Sequence, residues 1–152
     1  MKRNALVLIF LFMLCAATAQ QPVSFITEAT NDASANTFEQ TKTKAERGDA
    51  SAQFDLGNFY FKATNFVLAV QWFQKSAQQG LAAAQSQLGI FYQNGYGVPR
   101  DNEQAAKWFS KAAHQGDKVG QTMLGICYDL GQGVPLNEVE AYKWLSLATS
   151  RE

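Results

Sequence analysis

One histidine, His114, and two cysteines, Cys15 and Cys127, are all the His and Cys side chains in 152 residues, which leaves few ways to build a His/Cys metal site. Catalysis needs a nucleophile, base or metal in a positioned set. His114 lies two residues before Gly116, at the end of a helical pattern. There it favours the negative end of the helix dipole, and this reading is preferred to a hydrolytic role. The acid pairs Asp101/Glu103 and Glu138/Glu140 have a spacing that could be read as paired carboxylates, but both pairs open helices, where acids favour the dipole. Gly95-x-Gly97 and Gly131-x-Gly133 look faintly like phosphate loops. They follow helices rather than strands and lack the third Gly and the Lys-Ser/Thr, so they read as tight turns. Eleven Phe, five Tyr and three Trp could stack on bases, but thirteen Lys+Arg balance thirteen Asp+Glu and no basic stripe interleaves them. Cys127 falls inside a helical core pattern, as a small apolar residue rather than a nucleophile. No catalytic residue, cofactor, metal or nucleic acid is therefore expected.

The elements that carry these residues begin with an export signal. Met1-Lys2-Arg3-Asn4 is basic, Ala5 to Ala17 is almost wholly apolar, and Ala17-Thr18-Ala19 is a small-x-small cleavage site. The apolar run is shorter than the ~20 residues that cross a bilayer. The bulky Leu14 before Cys15 argues against a lipoprotein. Residues 1–19 therefore read as a signal peptide, and cleavage leaves an exported chain with Cys127 as its only thiol. Periplasm and full secretion both remain open, and no stable membrane insertion is expected after cleavage. At 47% hydrophobic and 17% charged, the rest has ample apolar material for one packed domain.

Internal repetition sets the architecture. Trp72, Trp108 and Trp144 stand 36 residues apart, inside LAVQWFQKSA (68–77), QAAKWFSKAA (104–113) and VEAYKWLSLA (139–148). Upstream lie LGNFY (56–60), LGIFY (88–92) and LGICY (124–128), and NGYGVP (94–99) and LGQGVP (130–135) join the later pairs. The first copy has a loop four residues shorter. Each copy resolves into two helices. In helix A, Leu and Tyr four apart share one face, and the Gly after each Leu (Gly57, Gly89, Gly125) implies close approach of the partner helix. In helix B, Ala105, Trp108, Phe109, Ala112 and Ala113 form an amphipathic stripe, so the repeated tryptophans are expected to layer the core.

Asn65, Asp101 and Asn137 stand seven residues before each Trp as N-caps, and Gln104 and Glu140 complete two capping boxes. Gly48, Gly80 and Gly116 end the B helices, while Pro99 and Pro135 sit in loops. Residues 20–35 show no helical period and read as a flexible leader. Residues 36–48 read as a lone B-type helix whose stripe positions hold Thr37, Gln40, Thr41, Lys44 and Ala45, the polar face of a capping helix. Repeats then occupy 49–80, 81–116 and 117–152, with no comparable cap after the third.

L-G-x-x-Y, then G-x-G-V-P, then A-x-x-W-(F/L)-x-K-A-A at a period of 36 resembles the Sel-1-like repeat family, relatives of the tetratricopeptide repeat; the likeness covers about residues 48–150. It implies an all-α, right-handed superhelical solenoid of antiparallel helix pairs that acts as a non-enzymatic adaptor for protein–protein assembly. A branch rich in cysteine pairs is associated with penicillin binding and β-lactamase activity; a single mature Cys does not carry that over. In the tetratricopeptide relatives, exposed A-helix positions lie two before the Leu and two, five and six after it. These map to Phe54, Asn58, Phe61 and Lys62; to Ser86, Ile90, Gln93 and Asn94; and to Thr122, Ile126, Asp129 and Leu130. The implied partner is a protein or extended peptide held on the concave face. The alternative is an oligomerising module that pairs through its uncapped third repeat.

Overall fold

Side-chain oxygens placed ahead of apolar stripes start five of the described helices. Asp49, Asn65, Asp101, Asp117 and Asn137 each accept a hydrogen bond from a first-turn amide of the helix that follows. The structure, a computed structural model, describes residues 28–150, with side chains from Thr37 onward. The export signal and the first part of the leader lie outside the described residues. The chain divides into a unit of residues 1–36 and a unit of residues 37–152. All that follows concerns the second, apart from the first turns of α1.

Among the described residues there are seven α-helices and no strand: α1 Glu28–Glu46, α2 Ala50–Lys62, α3 Phe66–Gln78, α4 Ala82–Asn94, α5 Asn102–His114, α6 Lys118–Leu130 and α7 Glu138–Thr149. Helix α1 starts at Glu28, inside the stretch read as a flexible leader. Its low apolar content gave no period to detect. Helices α2–α7 form three antiparallel A/B pairs, each packed on the next. Sequence order and spatial order coincide, as in a solenoid.

Each pair closes on a glycine. A Cβ built on Gly57 would lie 2.6 Å from the Phe73 ring, on Gly89 2.5 Å from the Phe109 ring, and on Gly125 2.7 Å from Leu145. The residue after each Trp therefore fills the notch that Gly leaves in helix A. In the first two repeats this corrects the expectation of layered tryptophans, whereas in the third Trp144 is buried and Leu145 half-buried. Phe73 and Phe109 are wholly buried, whereas Trp72 and Trp108 are half-buried. Trp108 packs against the cluster of Phe73, Leu88 and Phe91, and Trp144 against that of Phe109, Leu124 and Cys127. In each case the Trp joins a cluster that includes the preceding B helix. Lys75, Lys111 and Lys143 stand 3.9, 4.1 and 5.1 Å over the faces of Trp72, Trp108 and Trp144.

The capping boxes form only by half. Asp101 accepts from the Gln104 amide and Asn137 from the Glu140 amide. The N-cap amides go elsewhere: Asn65, Asp101 and Asn137 each donate to the carbonyl of the repeat tyrosine, Tyr60, Tyr92 and Tyr128, at 2.9 Å. The same bond closes the short first loop and the two longer ones. The short loop needs Thr64 at φ 58, a position that costs a β-branched residue about 1–2 kcal/mol. In the longer loops Gly95 and Gly131 terminate helix A in the left-handed region. Gly97 and Gly133 lie so close to the carbonyls of Phe66 and Asn102, at the start of the preceding B helix, that a side chain there would collide.

Between repeats runs a ladder of buried amides. Gln53, Gln85 and Gln121 donate from Nε2 to the carbonyls of Ala45, Ala77 and Ala113, in the last turn of the preceding helix. Gln79 and Gln115 donate in turn to Oε1 of Gln53 and Gln85, both at 2.7 Å. Residues 37–46 of α1 join the same scheme. Ala45 is buried beside Leu56, and Phe38 meets Phe59 and Tyr60 edge-on.

Candidate protein-binding surface

The A helices α2, α4 and α6 carry the residues that the sequence assigns to a binding face. Helix periodicity puts the positions two, five and six after the repeated Leu on the side away from the B helices. Asn58, Ile90 and Ile126 are half-buried, as is Gln93, while Lys62, Asn94, Asp129 and Leu130 are exposed. Thr122 is half-buried and donates its hydroxyl to the Lys118 carbonyl. Two assigned positions pack against neighbouring elements. Phe54 is half-buried, 5.6 Å from the Phe73 ring. Ser86 is buried and donates to Asp117, whose carboxylate also caps α6 through the Gly120 amide. Both residues precede the Leu; Phe54 meets the B helix of its own repeat, and Ser86 meets the repeat that follows.

Phe61 is only partly free. Its ring lies 5.8 Å from Phe66 and 5.7 Å from Phe91, at the edge of an aromatic cluster that Tyr96 completes. Asn94 spends one amide proton on the Ile90 carbonyl of its own helix, 2.9 Å away. The structure does bring Asn58 and Lys62 together. With Asp55, Phe59, Thr37 and Thr41 they line a cavity of about 490 Å³ between α1 and α2. One wall supplies an ammonium, a carboxylate and an amide, a set suited to a polar backbone or side chain. A second cavity, about 460 Å³, lies along α5 beside Trp108, Lys111 and Tyr128. Its lining residues were not among those assigned from sequence.

The chemically suggestive residues have structural partners. His114 Nδ1 donates to the Ser110 carbonyl at 2.7 Å, and its ring meets Trp144 edge-on. Glu140 accepts from Trp144 Nε1 at 3.0 Å and pairs with Lys143 at 3.1 Å. Asp101 is an N-cap, and Glu103 and Glu138 stand in first turns. Burial pushes the Cys127 thiol above its ordinary range, which opposes thiolate chemistry. Among the described residues no group of three or more His, Cys, Asp or Glu side chains could hold a metal ion. Nor is any described helix long and apolar enough to cross a membrane.

The glutamine ladder is what sequence reasoning missed. Its signal was present: Gln stands three before the Leu in every A helix and directly before Gly80 and Gly116.

The profile of the Sel1 repeat matches residues 50–81, 82–117 and 119–151. Among solved structures, a protective antigen of uropathogenic Escherichia coli displaying an SLR fold is 43% identical, with a TM-score of 0.70 over 73% of this chain. This chain spans only 25% of that antigen. A Sel1 repeat protein from Oxalobacter formigenes is 34% identical, with a TM-score of 0.69 over 86% of this chain and 91% of its own. Cysteine-rich protein B of Helicobacter pylori shares the fold, with 24% identity and a TM-score of 0.62 over 74% of this chain and 86% of its own. No curated protein matches.

Proposed function

Because the chain belongs to the Sel1 repeat family, whose members are generally protein-interaction scaffolds, we propose that it is an exported, non-enzymatic adaptor that holds a protein or extended peptide on the concave face of its A helices. The observation that carries this reading is the row formed by one register position in three successive repeats: Asn58, Ile90 and Ile126, flanked by Lys62, Asn94 and Asp129. Such a row offers one contact set per repeat to a partner that runs along the stack. Asn58 and Lys62 provide hydrogen bonds and charge where the α1/α2 cavity admits a side chain. Ile90 and Ile126 provide apolar contact, and Phe61 adds a ring edge. Helices held by glycine notches and buried amides keep this surface preorganised, which lowers the entropy cost of binding.

Export rests on the basic start, the apolar run and Ala17-Thr18-Ala19. Mass spectrometry of the protein recovered from cells should find Gln20 at the N-terminus; retention of Met1 would refute export by this signal. For the binding face, the wild-type protein is crosslinked in intact cells and its captured partner identified. Asn58→Ala combined with Lys62→Ala should reduce capture at least tenfold, with the melting temperature unchanged. Undiminished capture places the contact elsewhere.

A further inference from the structure

The A helices do not offer the same chemistry three times. Positions five and one before the repeated Leu, and two and six after it, fall at helical spacing on one stripe of each A helix. On α2 the stripe reads Ser51, Asp55, Asn58 and Lys62. On α4 it reads Ala83, Gln87, Ile90 and Asn94, and on α6 Val119, Met123, Ile126 and Leu130. None of these residues is buried, and Val119 and Leu130 are 50% and 56% exposed. One face therefore passes from polar and charged on α2, through mixed on α4, to wholly apolar on α6.

The polar end has charge to satisfy. The ion pair among the described residues joins Lys143 to Glu140, away from α2, so Asp55 and Lys62 meet no opposite charge there. They stand on either side of Asn58, about 10 Å apart along the helix. Both line the α1/α2 cavity, which gives each of them room for a partner side chain. On α4, Gln87 and Asn94 present amides, groups that pair with a peptide backbone.

Resting on the adaptor reading above, we propose that the partner is an extended segment whose chemistry changes in step with this face. It lays a pair of opposite charges over α2 and a pair of aliphatic residues over α6. Packed helices stand about 8–10 Å apart, so α2 and α6 are separated by about 20 Å, the reach of about six extended residues. Four residues thus lie between the two pairs. Successive side chains of an extended chain point to opposite sides. Over α2 one turns to Asp55 and the next to Lys62, so a cation must stand beside an anion. Over α6 one turns to Val119 and Met123 and the next to Ile126 and Leu130. A uniformly apolar segment would cover Asp55 and Lys62 without pairing them, and a uniformly charged one would desolvate its charges on α6. Both are rejected, which gives the face its selectivity.

Fluorescence anisotropy on the purified protein tests this with the labelled peptide Lys-Glu-Ser-Thr-Ser-Thr-Leu-Leu, blocked at both ends, and with its reversal. One of the two should bind at least tenfold more tightly than Ser-Thr-Ser-Thr-Lys-Glu-Leu-Leu, which keeps the composition and removes the spacing. Ile126→Asn with Leu130→Lys gives α6 the residues that α2 carries at those positions and should erase the preference, with circular dichroism unchanged. Asp55→Ala with Lys62→Ala should erase it from the other end. Absent binding, equal binding of spaced and unspaced peptides, or a preference that survives either double variant overturns the proposal. If capture in cells still falls in Asn58→Ala with Lys62→Ala while the peptides are not told apart, the binding face stands and the chemistry assigned to its partner is overturned.

Discussion

The two junctions between repeats share a skeleton and differ in filling. At both, a loop glycine lies against the first carbonyl of the preceding B helix, and a glutamine donates to a carbonyl in that helix's last turn. The first junction is then packed by Phe61, Phe66, Phe91 and Tyr96, with Phe66 and Tyr96 stacked at 5.1 Å and Phe73 meeting Phe91 at 5.2 Å. The second holds Gln93, Asn102, Cys127 and Gln132 at those positions. Four aromatics have given way to two amides of glutamine, one of asparagine and a thiol. Asn102 Oδ1 is even buried without a hydrogen-bond partner. Backbone and amide contacts thus set the geometry of stacking, while side-chain volume sets its strength. The array should open at the second junction first.

The largest test of this contrast is Phe91→Ala, expected to cost about 3–5 kcal/mol in denaturant unfolding, as large buried aromatics do. Cys127→Ala, at the same position one repeat on, should cost about 1 kcal/mol. Equal losses would refute the difference in filling. The shared skeleton is probed by Gln85→Leu and Gln121→Leu, each expected to cost about 1 kcal/mol because the Ala77 or Ala113 carbonyl loses its side-chain donor and keeps only the Gly80 or Gly116 amide. A loss at only one of them would show that the skeletons differ too. Asn102→Leu removes an unpartnered buried oxygen and should raise stability by about 1 kcal/mol, read as a higher midpoint with unchanged slope. The smallest effect concerns pH. Burial raises the Cys127 thiol, so the folded chain holds its proton where the unfolded chain releases it. The stability this contributes is complete below the unfolded thiol's pKa and is lost as pH rises from there through the raised pKa of the folded thiol. Wild type should therefore weaken in alkali more than Cys127→Ala.

Much of this was legible beforehand. Period, caps and glycine notches are local in sequence, so the helix pairs and their closures could be read from spacing alone. In the first two repeats the layered role given to tryptophan was misplaced by one residue, while Trp144 is buried as expected. Both Trp108 and Phe109 fall on the apolar stripe, and only the notch at Gly89 decides which enters the pair. Of the positions two before the Leu, Ser86 is buried and Phe54 and Thr122 are half-buried. Whether Ser86 faces outward depends on how tightly the next repeat approaches, and that distance has no signature within one repeat. Phe54 instead meets Phe73 of its own repeat. Helix α1 ran further back than expected because its first turns lack an apolar stripe.

The bond from each N-cap amide to a tyrosine carbonyl has a consequence for how such a chain can vary. The hairpin closes identically over a short connector and a longer one, so connector length is free as far as one helix pair is concerned. The longer connectors use that freedom to reach the preceding repeat, and any sequence grafted there must keep the glycine that lies against its first carbonyl.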